Sequence, residues 1–339
     1  MIRLTERIKG IFMETFFYRT IELPDFLQER YTLFLELCGL REEKNTDYTV
    51  LCQNQEGEIL ACGSLTGNVL KQIAVNPELE GNGLCAAIVT ELVDEAIKRG
   101  ERHLFLYTKP ERQILFEGLG FYPVVATEKM LMMENKANGL QNYLANLPHF
   151  EGKIGAIVCN CNPFTLGHRR LMEYAAADCD KLMVFVLSES CSMFTPEVRY
   201  EMVKAGTADL KNVYVVYSQD YLVSRATFPT YFIKDQACCE EAACELDIAL
   251  FTLCIAPELN ITVRYVGEEP FDPITREYNE KMKAILPLHG IRLVEIPRFE
   301  NISASKVRKL IMEGRVRETR RYLPETSYEY CLRNFGAGA

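Results

Sequence analysis

Apolar residues recur along this chain with two different periods, and the way those periods alternate divides it. From residue 153 onward, apolar runs of strand length at 153–159, 181–187, 212–217, 261–266 and 291–296 alternate with segments of helical spacing. The helical segments start at Leu166 and cover 196–210, about 230–255, 274–286 and the stretch after Ser303. Strands apolar on both faces, separated by helices, predict a parallel sheet covered on both sides through right-handed crossovers. The earlier residues read differently. A helix over 23–38 follows Pro24-Asp25, then three strand-like runs at 48–52, 59–65 and 69–75 are joined by turns at Gly57 and Gly67, which predicts an antiparallel meander. A glycine turn, a helix to about Lys98 and a strand at 104–108 complete this half. The pattern predicts an α/β chain in which a doubly wound parallel sheet is preceded by an α+β domain. The first domain is assigned to 1–133, a polar linker with its boundary near Pro148 to 134–152, and the second domain to 153–339.

Two strand-to-helix joins in the second half carry candidate chemistry. In Asn162-Pro163-Phe164-Thr165-Leu166-Gly167-His168, free amides at a helix start and the helix dipole favour an anion, while Gly167 allows close backbone approach. His168 sits in the first helical turn, aimed at the same place. In Asn301 to Gly314, Ser303, Ser305, Lys306 and Arg308 crowd another helix start, with Val307, Leu310 and Ile311 as its buried stripe. A structural histidine and an N-cap serine on a basic surface each explain one piece alone. Together, the two joins are what a fold needs to grip both ends of a nucleoside triphosphate. A third glycine turn, Glu80-Gly81-Asn82-Gly83-Leu84-Cys85, opens the helix of the first half and suits a phosphate in the same way.

Composition narrows the choice. At 339 residues the chain is long enough for two cores, and its 48% hydrophobic and 25% charged residues are ordinary for a globular protein. A net charge of -9 argues against a general nucleic-acid binder. Arg315, Arg317, Arg320 and Arg321 read as a solvated helix face. The opening MIRLTERIKGIFMETFF has no sustained apolar core or cleavage site, and the most apolar run, 248–256, is far too short for a membrane span. Thirteen cysteines, an odd number without a C-x-x-C pair, read as buried reduced thiols in a cytoplasmic protein. Cys159 and Cys161 flank the first phosphate turn. Four histidines with no pair at ligand spacing argue against a structural zinc site.

The first join resembles the T/H-x-G-H signature of the nucleotidylyltransferase superfamily in its Thr-x-Gly-His form, and Ser303 to Arg308 resembles its I-S-S-T-x-x-R element with Lys306 in place of threonine. Residues 188–199 look like the superfamily's second loop, ending in Arg199, and 266–271 like the loop facing the adenosine, with Gly267 as backbone approach point. Residues 15–133 resemble the GNAT N-acetyltransferase fold, on the glycine turn and on Phe116-Glu117-Gly118-Leu119-Gly120-Phe121-Tyr122. There Glu80 replaces the usual Arg/Gln and Cys85 the final Gly/Ala. A carboxylate beside a pyrophosphate repels it, so this half is expected to dock a coenzyme-A-like arm, or to be structural, rather than to catalyse acetyl transfer.

Taken whole, the chain resembles the citrate lyase ligase family. That resemblance implies an ATP-dependent ligase that activates acetate as acetyl-AMP and passes the acetyl group to a thiol. The thiol is that of a phosphopantetheine-like arm on the acyl-carrier subunit of citrate lyase. It implies ATP and Mg2+, the magnesium carried in by the nucleotide, with no nucleic acid and no membrane as partner. His168, Thr165 and Lys306 take the catalytic roles, and Asn162, Phe164, Gly167, Arg199, Gly267, Ser303, Ser305 and Arg308 bind the nucleotide. Two other readings stay open: a nucleotidylyltransferase of the pantetheine-phosphate adenylyltransferase type, and a non-catalytic nucleotide or coenzyme sensor.

Overall fold

The computed structural model describes residues 3–8, 11–188, 192–222, 229, 231–233, 236–269, 272–299 and 302–336. They form two compact units, Met1–Gln141 with Pro229–Leu246, and Asn142–Phe228 with Asp247–Ala339. The first differs from the sequence expectation in recruiting a segment from beyond residue 153.

The first unit is built on strands β1 (Arg3–Ile8), β2 (Ile11–Thr20), β3 (Tyr48–Gln53), β4 (Ile59–Thr66), β5 (Val69–Val75), β6 (Phe105–Thr108), β7 (Tyr122–Ala126) and β8 (Leu131–Glu134). Helices α1 (Asp25–Leu37), α2 (Leu84–Lys98) and α3 (Gln113–Glu117) join them, and α4 (Gly139–Ala145) follows β8. The sheet runs in the order β1-β2-β3-β4-β5-β6-β8-β7 among the described residues. Every neighbouring pair is antiparallel except β5 and β6, which are parallel and pair only at Val69↔Phe105 and Leu70↔Leu106. β4 is buried over all but its last residue because apolar stripes cover both of its faces. Leu27, Tyr31, Phe34 and Leu35 of α1 pack with Ile59 and Cys62, while Ile88, Val89 and Leu92 of α2 pack with Ala61 and Leu65. Each Leu, Ile, Val or Phe side chain among them contributes roughly 1.5–3 kcal/mol by leaving water. β1 and β2 have no counterpart in the sequence reading. Within β2 only Thr15 and Phe17 are buried among residues 14–20, so charged neighbours obscure its alternation.

In the second unit β9 (Ile154–Cys159), β10 (Lys181–Val186), β11 (Val213–Tyr217), β12 (Ile261–Gly267) and β13 (Arg292–Ile296) form a parallel sheet in the order β11-β10-β9-β12-β13. Their connections carry α5 (Leu166–Asp178), α6 (Pro196–Gly206), α7 (Gln236–Leu250), whose residues up to Leu246 belong to the first unit, α8 (Ala256–Glu258) and α9 (Pro273–Ile285), and α10 (Ala304–Met312) and α11 (Glu325–Phe335) follow β13. Met172 and Ala175 of α5, Met202 and Val203 of α6, and Val307 and Leu310 of α10 share one core with Ile157, Val184, Val263 and Tyr265. The strand order reverses between β9 and β12, and ligands of such sheets sit outside the strand ends at that point.

Three helices depart from their expected bounds. The segment expected over 230–255 is α7, a π-helical turn at Phe251–Ile255 and α8, with residues 230, 234 and 235 outside the described set. α6 stops at Gly206, four residues before the expected end, where the Thr207 hydroxyl donates to the Val203 carbonyl at 2.8 Å. α9 gives way to a 3-10 turn over Leu286–His289, which contains Pro287. No described helix is long and apolar enough to cross a membrane.

Candidate functional site

The end of β9 and the start of α5 enclose a turn that its own helix cap makes rigid. The Thr165 hydroxyl accepts the His168 backbone N–H at 3.4 Å, and His168 Nδ1 accepts the Thr165 backbone N–H at 3.0 Å, a reciprocal capping box with histidine in the acid's place. Because Nδ1 is an acceptor, the ring proton belongs on Nε2. Burial, with the nearby Arg298 guanidinium adding to it, lowers the imidazole from its ordinary 6.5 to about 4. At neutral pH the ring is therefore an uncharged Nε2–H donor.

The second helix start meets the first. Arg308 Nη1 donates to the Asn162 carbonyl at 2.5 Å and its Nη2 to the Ser305 hydroxyl at 3.1 Å. Leu166 N–H donates to the Tyr322 carbonyl at 2.9 Å. Ser303 caps α10, its hydroxyl accepting the Lys306 backbone N–H at 3.1 Å. The exposed Lys306 ammonium lies 4.8 Å from the centre of the Tyr322 ring, and the Arg321 guanidinium lies at the same distance. A hydrogen bond from Lys306, with the charge of Arg321, lowers the Tyr322 phenol below its ordinary value. Gly267 ends β12 with open space around it, its carbonyl accepting from Asn279 Nδ2 at 3.1 Å.

Three residues expected in the catalytic or nucleotide-binding set have their side chains beneath the turn. Arg199, expected at a helix surface or on the ligand, is fully buried and donates to the Asn160 carbonyl at 2.9 Å and the Phe194 carbonyl at 3.1 Å. Phe164 is also fully buried, its ring enclosed in the core and stacked 6.1 Å from the His168 ring. The buried Thr165 hydroxyl is engaged in the helix cap. The turn uses all three as supports because a loop without regular backbone pairing needs polar and apolar anchors from below. Asn162 contributes its carbonyl to Arg308 and its Oδ1 to the Phe194 N–H at 3.4 Å.

Sequence reasoning missed Arg298 and Tyr322. Arg298 pairs with Glu269 at 2.6 Å, donates to the Ile302 carbonyl at 3.3 Å and acts on His168. Its signal is a cation between a strand and a Ser-rich helix start. Tyr322 was hidden among arginines read as a solvated face. Glu189, Ser190 and Cys191 of the second loop, Pro270 and Phe271 of the adenosine loop, and Asn301 lie outside the described residues. Among the described residues no group of three or more His, Cys, Asp or Glu could hold a metal ion.

In the first unit Gly81 and Gly83 take φ of 82° and 81°, a left-handed conformation that glycine adopts without strain, at the start of α2. Beside them opens a cavity of about 640 Å³, lined among others by Cys38, Ile73, Cys85, Tyr107, Leu115 and Tyr231. Glu80, expected to repel a phosphate, lies 3.3 Å from Arg112, so its charge is partly balanced. Burial pushes the thiols of Cys38 and Cys85 up to about 11, which keeps both protonated at neutral pH.

Residues 154–331 match the family model described as citrate lyase ligase C-terminal domain, and residues 6–121 match that of the acetyltransferase (GNAT) family. A citrate (pro-3S)-lyase ligase of Haemophilus influenzae is 40% identical over 310 residues, covering 88% of this chain and 92% of that protein. One of Klebsiella pneumoniae is 40% identical over 295 residues, covering 84% of this chain and 86% of that protein. A phosphopantetheine adenylyltransferase of Streptococcus gordonii is 29% identical over 164 residues, covering 47% of this chain and 82% of that protein.

Proposed function

The chain belongs to the citrate lyase ligase family, and from that premise we propose that it activates citrate lyase by acetylating a thiol on the lyase at the expense of ATP. In the first step acetate attacks the α-phosphorus of ATP in line and expels pyrophosphate, leaving acetyl-AMP. No base is required, because a carboxylic acid is already ionised at neutral pH. Catalysis is then positioning and charge stabilisation. His168 Nε2–H and the amides at the start of α5 hold the α-phosphate, and Ser303, Ser305, Lys306 and Arg308 hold the departing pyrophosphate. Gly267 gives the adenosine side room to approach. Magnesium belongs to the substrate, entering on the phosphates of ATP and held by their oxygens and water.

In the second step the thiol of a phosphopantetheine-like arm on the acyl-carrier subunit attacks the acetyl carbonyl. The thioester forms as AMP leaves, and the thiol proton passes to solvent. We assign the first step to a domain over 153–339 less the segment Pro229–Leu246, and presentation of the arm to the GNAT-like domain over 1–133 together with that segment, with 134–152 as linker. The glycine turn and the 640 Å³ cavity beside it support that second assignment.

The observation that carries the reading is the 2.5 Å bond from Arg308 to the Asn162 carbonyl, which ties both phosphate-gripping helix starts to one turn. Exchange of labelled pyrophosphate into ATP tests it. Exchange that requires acetate is expected, whereas exchange driven by 4'-phosphopantetheine without acetate favours an adenylyltransferase. Nucleotide binding with no exchange leaves only a sensor.

A further inference from the structure

The turn that carries His168 begins with two thiols in contact. Cys159, the last residue of β9, is half-buried, Cys161 is buried, and their sulfur atoms lie 3.0 Å apart. Residues two apart on a strand share a face, and the left-handed φ of 49° at Cys161 bends the chain immediately after the strand. A disulfide requires a sulfur separation of about 2.05 Å, so the pair is roughly 1 Å from bonding distance.

We propose that Cys159 and Cys161 are a redox pair that closes into a disulfide and, by closing, disables the turn that holds His168. The closure stands on the thiol geometry alone; its effect on turnover rests on the function proposed above.

The reaction is thiol–disulfide exchange with a low-molecular-weight disulfide such as oxidised glutathione. Cys159, the more accessible thiol, loses its proton and attacks one sulfur of the oxidant, releasing one thiolate and leaving a mixed disulfide. Cys161 then gives up its proton and attacks the Cys159 sulfur, breaking the mixed disulfide and releasing the second thiolate. Two protein thiols are oxidised and one small disulfide is reduced to two thiols. Burial raises the Cys161 thiol well above its ordinary value, with the adjacent Cys159 adding to it, which makes Cys161 the protonated resolving partner.

The closure reaches the site through the residues on either side. Asn160 lies inside the new ring, and its carbonyl is the one that Arg199 holds from below at 2.9 Å. Asn162 follows the ring, and its carbonyl receives Arg308. Drawing the sulfurs together therefore re-aims both anchors, and misplacement by about 1 Å at such a site typically costs on the order of 100-fold in rate.

The test treats the full-length protein with oxidised glutathione, alkylates remaining thiols and reads peptide masses together with the ATP-induced shift in melting temperature. The peptide bearing Cys159 and Cys161 is expected to be two hydrogens lighter and unalkylated. The ATP-induced shift should vanish and return with dithiothreitol, while Cys159→Ser keeps it through oxidation. The proposal is overturned if the two thiols are recovered alkylated or only glutathione-capped, or if disulfide-bonded protein keeps its full ATP shift. Should the reduced protein show no ATP shift, the nucleotide reading fails, and the peptide mass still decides whether the pair closes.

Discussion

His168 owes its state to one backbone contact on its ring, to burial and to the nearby Arg298 rather than to a carboxylate partner. With Nδ1 occupied by the Thr165 N–H and the ring lowered to about 4, the imidazole stays a neutral donor over the whole physiological range. Two outcomes follow for this side chain. His168→Ala should reduce acetate-dependent pyrophosphate exchange by about 100- to 1,000-fold, the usual cost of removing one donor from a developing charge. Because the folded value lies below the unfolded one, the unfolded chain takes up the proton first as pH falls. Stability is therefore lost between about 6.5 and about 4 and is unaffected by this group above that window. A histidine ring-proton titration by NMR should give a midpoint near 4, and an ordinary midpoint would count against the geometry. Arg199 is the other residue whose role is decided by burial. Replacing it with Met removes charged donors from the Asn160 carbonyl in the turn and from the Phe194 carbonyl ahead of α6, and should cost about 3 kcal/mol in chemical denaturation. The Gly-His and Ser-x-Ser-Lys-x-Arg stretches were legible because helix caps are local in sequence. That Arg199, Thr165 and Phe164 support the turn rather than line it was not, since burial is decided by tertiary packing.

At the scale of elements, the turn stands where it does because α6 comes close to it. A methyl group placed on Gly206 would lie 2.5 Å from Phe164 Cε1 and 2.8 Å from Cδ1, and the enclosed Phe164 ring has no room to yield. Gly206→Ala should thus displace α6 or the ring, lower stability by about 1–3 kcal/mol and weaken ATP binding, although residue 206 is not among the groups proposed to hold phosphate. Isothermal titration with ATP beside a denaturation curve checks both; unchanged ATP affinity in a destabilised variant would separate the helix from the site. The strands of the parallel sheet were readable to within about a residue because two-sided burial leaves an uninterrupted apolar run, as in Leu182 to Val186. β2 was not, since only one face is covered and charged residues interrupt its period. The end of α6 is likewise not legible, because the Thr207 side-chain bond that ends it leaves no mark in the apolar spacing.

For the whole molecule, chain order and compact units do not coincide. Pro229–Leu246 lies after β11 in sequence, yet it belongs to the first unit. Within that unit the Tyr231 hydroxyl donates to the Tyr107 carbonyl at 3.2 Å, and the Arg41 N–H donates to the Tyr231 carbonyl at 2.7 Å. Lys129 pairs with Glu241 at 2.5 Å, and Tyr231 and Phe232 form part of the cavity wall. Hydrophobic spacing marks the segment as helical, with Cys239, Ala242, Ala243 and Leu246 buried at helical intervals, but it does not say which unit that face covers, and the aromatic contact to Tyr107 reaches across more than a hundred positions of sequence. A fragment ending at residue 150 would keep every strand of the eight-stranded sheet and lose that wall. Opening a 640 Å³ cavity exposes Tyr107, Ile73 and their neighbours to water without any substitute packing. Such a fragment should therefore bind an apolar dye and melt below the full chain, and adding residues 229–246 as a separate peptide should restore part of the loss. A fragment that melts cooperatively at the full-chain temperature and ignores both dye and peptide would show that the segment is an accessory to the first unit rather than a part of its core.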